Sequence, residues 1–244
     1  MKNNFLISTG GSGGHTIPAT IIYEHLKEQA NLIITTDKRG SKYLDNSYYK
    51  YVIIDTPKLN NIFLFPLNLL IILYLTIKSL LLLMNKKINK TVSTGGYMSL
   101  PLIIASKILN LDIYLIEPNQ VIGRANRFFL RYCKKIFCYS ESIKKFPKKY
   151  IDKIVVINPL IKKKFYEQIN KVNKNEKFNL LIIGGSQGAK IFDSNLKNSL
   201  VKISKIVPIK IFHQSNVRNI QNLSNYYSEN KIENKIFSFE KDFL

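Results

Sequence analysis

Cysteine is nearly absent, with Cys133 and Cys138 the only two in the chain. Two thiols exclude a disulfide framework, and a reduced, cytosolic setting is expected. The pair also lacks the nearby His or carboxylate partners that a metal site needs, so no metal is expected. Arginine is scarce. Of the 37 basic residues only five are Arg (Arg39, Arg124, Arg127, Arg131 and Arg218), and the rest are Lys. Acidic residues number 16, which leaves a formal net charge of +21. That balance suits an anionic partner such as nucleic acid, an acidic membrane surface or a phosphorylated substrate. It is equally a property of solvated surface in a chain rich in Lys, Asn and Ile. No zinc-finger spacing and no aromatic-basic RNA-binding pattern occurs, so nucleic acid is not an expected partner. No secretory leader is expected, because the first strand-like run leads straight into a glycine turn.

Two glycine-rich turns are present, each directly after a strand-like run. Phe5-Leu6-Ile7-Ser8-Thr9 is followed by Gly10-Gly11-Ser12-Gly13-Gly14-His15, and Leu180-Leu181-Ile182-Ile183 by Gly184-Gly185-Ser186-Gln187-Gly188-Ala189. A strand, a glycine turn and a helix start make an anion site, since backbone N–H groups and the helix dipole favour negative charge there. Two such devices predict two similar α/β lobes and an enzyme that handles phosphorylated substrates.

Alternation of strand-like and helix-like runs through the first half predicts a parallel sheet covered on both faces. Strands are expected near 4–9, 31–36, 51–54, 90–94, 112–116, 135–139 and 153–157, and helices near 17–29, 100–109 and 121–132. Ligands of such sheets sit at the carboxyl ends of the strands. Gly10 to His15, Gly95-Gly96-Tyr97 and Glu117-Pro118-Asn119 all fall at such ends. The expected organisation is a first domain over 1–160, a Lys/Asn-rich linker over 161–177 and a partial second domain over 178–244. Within the last, strands near 178–183, 206–212 and 234–239 and helices near 189–203 and 216–228 make half of a doubly wound domain.

Residues 62–84 form a long apolar run whose single charge is Lys78. Its length suffices to span a bilayer. Pro66, Asn68 and the flanking strands of one sheet argue against spanning. The alternatives are a core helix and a helix whose exposed apolar face dips into an anionic leaflet, with Lys78, Lys86, Lys87 and Lys90 at one end.

The first glycine turn lacks the third glycine of a dinucleotide fingerprint, having Thr16 there, and has no P-loop Lys. The second turn fails both patterns too. A nicotinamide enzyme and an NTPase are therefore disfavoured, and no cofactor is expected.

Taken together, the ordered motifs resemble a known family. Gly10-Gly11-Ser12-Gly13-Gly14-His15-Thr16-Ile17-Pro18-Ala19 and Gly95-Gly96-Tyr97-Met98-Ser99-Leu100-Pro101 are similar to the first two loops of the MurG family. These are the bacterial undecaprenyl-diphospho-muramoylpentapeptide N-acetylglucosaminyltransferases. Glu117-Pro118-Asn119, Asn158-Pro159, Gly184-Gly185-Ser186-Gln187-Gly188-Ala189-Lys190 and His213-Gln214-Ser215 match further family motifs in order.

The resemblance implies a GT-B fold of two Rossmann-like lobes, the second incomplete. It implies inverting transfer of N-acetylglucosamine from UDP-GlcNAc to lipid I, giving lipid II, by a peripheral enzyme on the cytoplasmic side of the inner membrane. His15 is then the expected base, or else a loop imidazole bonded to nearby backbone. Ser12, Gly13, Gly14, Asn119 and Ser186 match donor-binding positions; otherwise the first three only form a turn and Asn119 caps a helix. Tyr97 lines the acceptor side or merely packs. His25 and His213 are expected to be structural.

Two departures stand out. The family's Asn-Pro motif carries a donor-binding Arg shortly after it; here Ile161 and Lys162 follow Leu160, and a Lys point charge does not replace a guanidinium fork. The segment that holds uracil and ribose in the family has no counterpart here. Three readings follow: a transferase completed by a separately encoded C-terminal half, an inactive fragment, or a non-catalytic membrane-docked subunit.

Overall fold

The computed structural model describes residues 3–57, 65–167, 177–184 and 190–238. The chain divides into two units, Met1–Ile169 and Asn170–Leu244.

The first unit is built on β1 (Asn3–Ser8), α1 (Gly13–Leu26), β2 (Ala30–Thr36), β3 (Tyr51–Ile53), α2 (Phe65–Asn85) and β4 (Lys90–Ser93). It continues through α3 (Leu100–Ile108), β5 (Asp112–Glu117), α4 (Arg124–Phe129), β6 (Lys135–Cys138), β7 (Ile154–Val156) and α5 (Lys163–Glu167). Its seven strands form one parallel sheet in the order β3-β2-β1-β4-β5-β6-β7. The order reverses between β1 and β4, which places the switch point at the end of β1. In register, Ser8 lies beside both Thr35 and Ser93, so the turns after β1 and β4 leave the sheet side by side.

Period-2 alternation along β1 sends neighbours to opposite faces. Ile7 packs with Ala19, Ile22 and Tyr23 of α1, whereas Leu6 packs with Leu75 and Leu83 of α2 and Leu102 and Ala105 of α3. Both residues are fully buried, each contributing about 1.5–3 kcal/mol from area alone. The far half of the sheet is sealed by Ile113, Leu115, Phe129, Leu130 and Ile136, with Cys133 and Cys138 buried among them. Burial pushes both thiols up to about 11, so they stay protonated at neutral pH.

Several expected boundaries differ; the helix expected over 121–132, for example, is confined to Arg124–Phe129. Helix α1 begins at Gly13, not near 17, because the N–H groups of His15 and Thr16 both reach the Ser12 carbonyl. Pro18 therefore sits in the second turn, and His15 belongs to the first turn of a helix. The start of the expected linker also packs on this unit: His25 Nε2 bonds the Ile161 carbonyl at 3.0 Å and Lys163 pairs with Glu28 at 3.1 Å.

Helix α2 is inverted in character. Its buried side carries Asn68, Thr76 and Ser79 beside Ile72, Leu75 and Leu83. Thr76 and Ser79 satisfy their hydroxyls on the carbonyls four residues back, each at 2.8 Å. The outward side is the more apolar, with Leu70, Leu73, Tyr74, Ile77, Leu81 and Met84 all exposed. Residues 62–64 of the expected apolar run lie outside the described residues.

The second unit has β8 (Phe178–Ile182), α6 (Lys190–Asn195), α7 (Lys197–Ser204), β9 (Ile209–Gln214), α8 (Ile220–Glu229) and β10 (Glu233–Phe237). Its parallel sheet runs β10-β9-β8, the same sequence of pairings as β3-β2-β1 in the first unit. The expected single helix over 189–203 is broken at Leu196 into α6 and α7. Leu200, Ile209, Ile211, Leu223, Tyr227 and Ile232 make the core.

Candidate functional site

Beneath the two turns of the first unit lies a buried hydroxyl network. The Ser8 and Ser93 hydroxyls each donate to Ser99 Oγ at 3.0 Å, and Thr94 donates to Thr9 at 2.9 Å. Ser99 Oγ returns a bond to the Gly95 carbonyl at 3.3 Å, and the Gly95 N–H reaches Ser93 Oγ at 3.1 Å. The strand ends are thereby locked together. Gly95 and Gly96 then take φ of 95° and 89°, a region that favours glycine. A Cβ on Gly95 would sit 3.3 Å from both His15 Cε1 and Asn126 Nδ2, so the absent side chain is what lets these groups converge.

His15 projects from the first turn of α1, and its Nδ1 lies 2.8 Å from the Thr94 carbonyl. A carbonyl only accepts, so Nδ1 carries the proton and Nε2 of the neutral ring keeps a lone pair. The ring lines a cavity of about 620 Å³ together with Gly95, Tyr97, Asn119, Arg124 and Phe128.

Asp37, at the end of β2, braces the first turn. Its Oδ1 accepts from the N–H groups of Gly11 at 2.7 Å and Gly40 at 2.8 Å, and its Oδ2 meets Arg39 at 2.9 Å. Burial works against the charged carboxylate, but these donors outweigh it and hold the carboxyl below its ordinary range. The Gly11 N–H is thus turned inward. The N–H groups of Gly13 and Gly14, at the start of α1, have no partner among the described residues. Arg39 also donates to the Tyr97 hydroxyl at 2.8 Å, tying the Asp37 loop to the second turn.

Glu117 closes the other wall. It is buried at 2 % exposure, and its carboxylate accepts four N–H groups. Oε1 takes the backbone and side-chain nitrogens of Asn119 at 3.2 and 3.0 Å; Oε2 takes Gly123 N at 2.8 Å and Asn126 Nδ2 at 3.1 Å. Its lone pairs are filled, so Glu117 has no free position from which to take a proton.

Of the residues expected from sequence, His15, Tyr97 and Asn119 share this one cavity. Ser12 is the N-cap of α1 and makes no capping bond through its side chain; Gly13 is buried and Gly14 exposed beside it. Ser186 lies outside the described residues, as does the second glycine turn from Gly185 to Ala189. The start of that turn is pinned by the Gly184 N–H to Gln214 Oε1 at 3.2 Å. His213 is fully buried between Asp193 and Tyr227, which suits the structural role expected for it. Asp37, Arg39 and Asn126 were not anticipated; position at a strand end was the only signal for Asp37. Among the described residues, no three His, Cys, Asp or Glu side chains come together to hold a metal.

A model of the glycosyltransferase family 28 N-terminal domain matches residues 5–138. The UDP-N-acetylglucosamine–N-acetylmuramyl-(pentapeptide) pyrophosphoryl-undecaprenol N-acetylglucosamine transferase of Pelagibacter ubique is 46% identical over 243 residues, spanning 99% of this chain and 68% of its own length. The protein of the same name from Rickettsia felis is 30% identical, spanning 98% of this chain and 69% of its own. The crystal structure of Acinetobacter baumannii MurG superposes with a TM-score of 0.69 at 21% identity, over 99% of this chain and 69% of that one. That likeness shows the fold, an α/β architecture of the GT-B type with a partial second lobe.

Proposed function

The chain belongs to the MurG family of N-acetylglucosamine transferases within glycosyltransferase family 28, and we propose that it transfers N-acetylglucosamine from UDP-GlcNAc to lipid I. The observation that carries the reading is the His15 ring, held by Thr94 through Nδ1 on the wall of the cavity.

In the reaction, the acceptor hydroxyl of the muramoyl sugar attacks C1 of the donor sugar. Its proton passes to His15 Nε2, the C1–O bond to the diphosphate breaks, and UDP leaves with the bonding pair. The configuration at C1 inverts because attack comes from the face opposite the leaving group. A positioned base supplies about 10²–10⁴-fold of such a rate. Negative charge on the departing diphosphate falls to backbone donors. The free N–H groups of Gly13 and Gly14 at the start of α1 suit that task. Ser12 and, through its oxygen, Asn119 are the further donor contacts of this reading, and Ser186 is the further donor contact that the family resemblance implies. Tyr97, anchored by Arg39, faces the acceptor.

The lipid-linked acceptor requires a membrane surface. Helix α2 is long and apolar enough to cross a bilayer, yet a third of it is buried and it connects β3 to β4 of one sheet. Docking by its exposed apolar side fits both facts, with Lys86, Lys87 and Lys90 meeting anionic headgroups at one end. The enzyme is then peripheral, on the cytoplasmic face of the inner membrane.

The test is synthesis of lipid II from UDP-GlcNAc and lipid I by the purified chain, alone and with the C-terminal third of the Pelagibacter relative supplied separately. Product in either arm supports the reading. No product in both, with vesicle binding intact, supports instead a membrane-docked subunit without catalysis.

A further inference from the structure

We propose that Glu117 is a positioning residue that fixes the amide polarity of Asn119 and Asn126, so that the cavity offers carbonyl oxygens to sugar hydroxyls. The transferase reading enters only in naming UDP-GlcNAc as the ligand that carries those hydroxyls.

A primary amide has one donor end and one acceptor end, and what holds one end decides which faces a ligand. Glu117 Oε1 holds the Asn119 Nδ2 group at 3.0 Å, leaving Asn119 Oδ1 as the end available to the cavity. Asn126 is treated alike. Its Nδ2 donates to the Ile116 carbonyl at 2.9 Å and to Glu117 Oε2 at 3.1 Å. Its Oδ1 is buried with no partner, on a residue that is 2 % exposed and lines the same cavity. An unpartnered buried acceptor is costly and marks a place where a donor is missing. Phosphate oxygens bring no proton at neutral pH and are repelled by amide oxygens. Sugar hydroxyls bring one each. Glu117 therefore sorts the ligand, with hydroxyls toward the two asparagines and diphosphate elsewhere.

Two backbone donors cannot be reversed, the Gly123 N–H on Oε2 at 2.8 Å and the Asn119 N–H on Oε1 at 3.2 Å. In Glu117→Gln the shorter bond and the Asn126 amide keep the side-chain oxygen on the Gly123 branch, so the Asn119 N–H loses its acceptor and the new NH₂ meets the Asn119 side chain. Asn119 then turns to accept it and presents its own NH₂ to the cavity. Adding Asn119→Asp restores an oxygen on both branches, one for Gln and one for the ligand.

Calorimetry with UDP-GlcNAc and with UDP on the whole chain tests this. The expected result is about tenfold weaker UDP-GlcNAc binding in Glu117→Gln, unchanged UDP binding, and recovery of the sugar's share in Glu117→Gln/Asn119→Asp. Equal weakening of both nucleotides, or no recovery in the double variant, overturns the proposal in favour of a merely structural carboxylate.

Side-chain amide NMR of the ligand-free chain is the second measurement. Asn119 NH₂ protons should exchange slowly in the wild type and fast in Glu117→Gln; identical exchange overturns the proposal. If the wild type binds neither nucleotide, even with the C-terminal third of the Pelagibacter relative supplied, the transferase reading is what fails, and the amide spectra alone decide the role of Glu117.

Discussion

The Asp37 carboxylate and the backbone N–H of Gly11 meet at 2.7 Å, so the first glycine turn is braced from the neighbouring strand end. The same carboxylate holds Gly40 and Arg39. Removing it leaves the buried Gly40 N–H and the half-buried Gly11 N–H without an acceptor. Asp37→Ala is expected to destabilise the first unit by about 3 kcal/mol, read as a shift of the denaturation midpoint.

A pH dependence follows from the same group. Its folded carboxyl titrates below its ordinary value, so the stabilisation is complete above about pH 4 and fades as pH falls through the folded value. The stability gap between wild type and Asp37→Asn should be constant from pH 5 to 8 and shrink toward pH 3. A gap that persists at pH 3 removes the charge from the account.

His15→Ala should lower turnover by about 10²–10⁴-fold while circular dichroism stays that of the wild type. Full turnover in this variant would dismiss the imidazole as base. His15→Gln sharpens the test, since its amide can still reach the Thr94 carbonyl but brings no basic nitrogen; it should be as inactive as the alanine variant.

Strand ends and glycine turns were legible in the sequence because parallel sheets bury continuous apolar runs and stop at glycine. Phe5 to Ile7 and Ile113 to Ile116 are such runs. His15, Tyr97 and Asn119 were legible as neighbours for the same reason, each sitting just past a strand. What the sequence hid is long-range pairing. Nothing local in Asp37 announces that it serves a turn 26 residues earlier, and nothing in Glu117 reveals four N–H partners. The start of α1 was misplaced because glycines and a proline argue against helix, whereas the Ser12 carbonyl gathers two N–H groups and starts one.

The outward side of α2 predicts a vesicle phenotype. Leu70, Tyr74 and Ile77 are 64%, 65% and 51% exposed and follow one another at helical spacing. Glutamate at Leu70 and Ile77 should abolish sedimentation with anionic vesicles and leave the melting temperature unchanged, since neither side chain is buried. Charge reversal at Lys86, Lys87 and Lys90 should weaken the same binding, more strongly at low salt than at high salt. Unchanged partitioning in both sets would leave α2 without a docking role.

The second unit carries its own pH sensitivity in His213. Burial pushes the imidazole below its ordinary range, and the nearby Asp193 carboxylate, 3.3 Å away, only partly opposes this. The folded unit therefore prefers the neutral ring, while the unfolded chain binds a proton near pH 6.5. Stability is full above that value and declines as pH falls toward the folded value, after which the loss levels off. Amide exchange along β9 and β10 should accordingly be faster relative to intrinsic rates at pH 5 than at pH 7.5. In His213→Gln that difference should vanish, at the cost of a lower stability at both values because the Tyr227 hydroxyl loses its partner. Equal protection of wild-type β9 at the two pH values would mean that the ring is already protonated inside the fold.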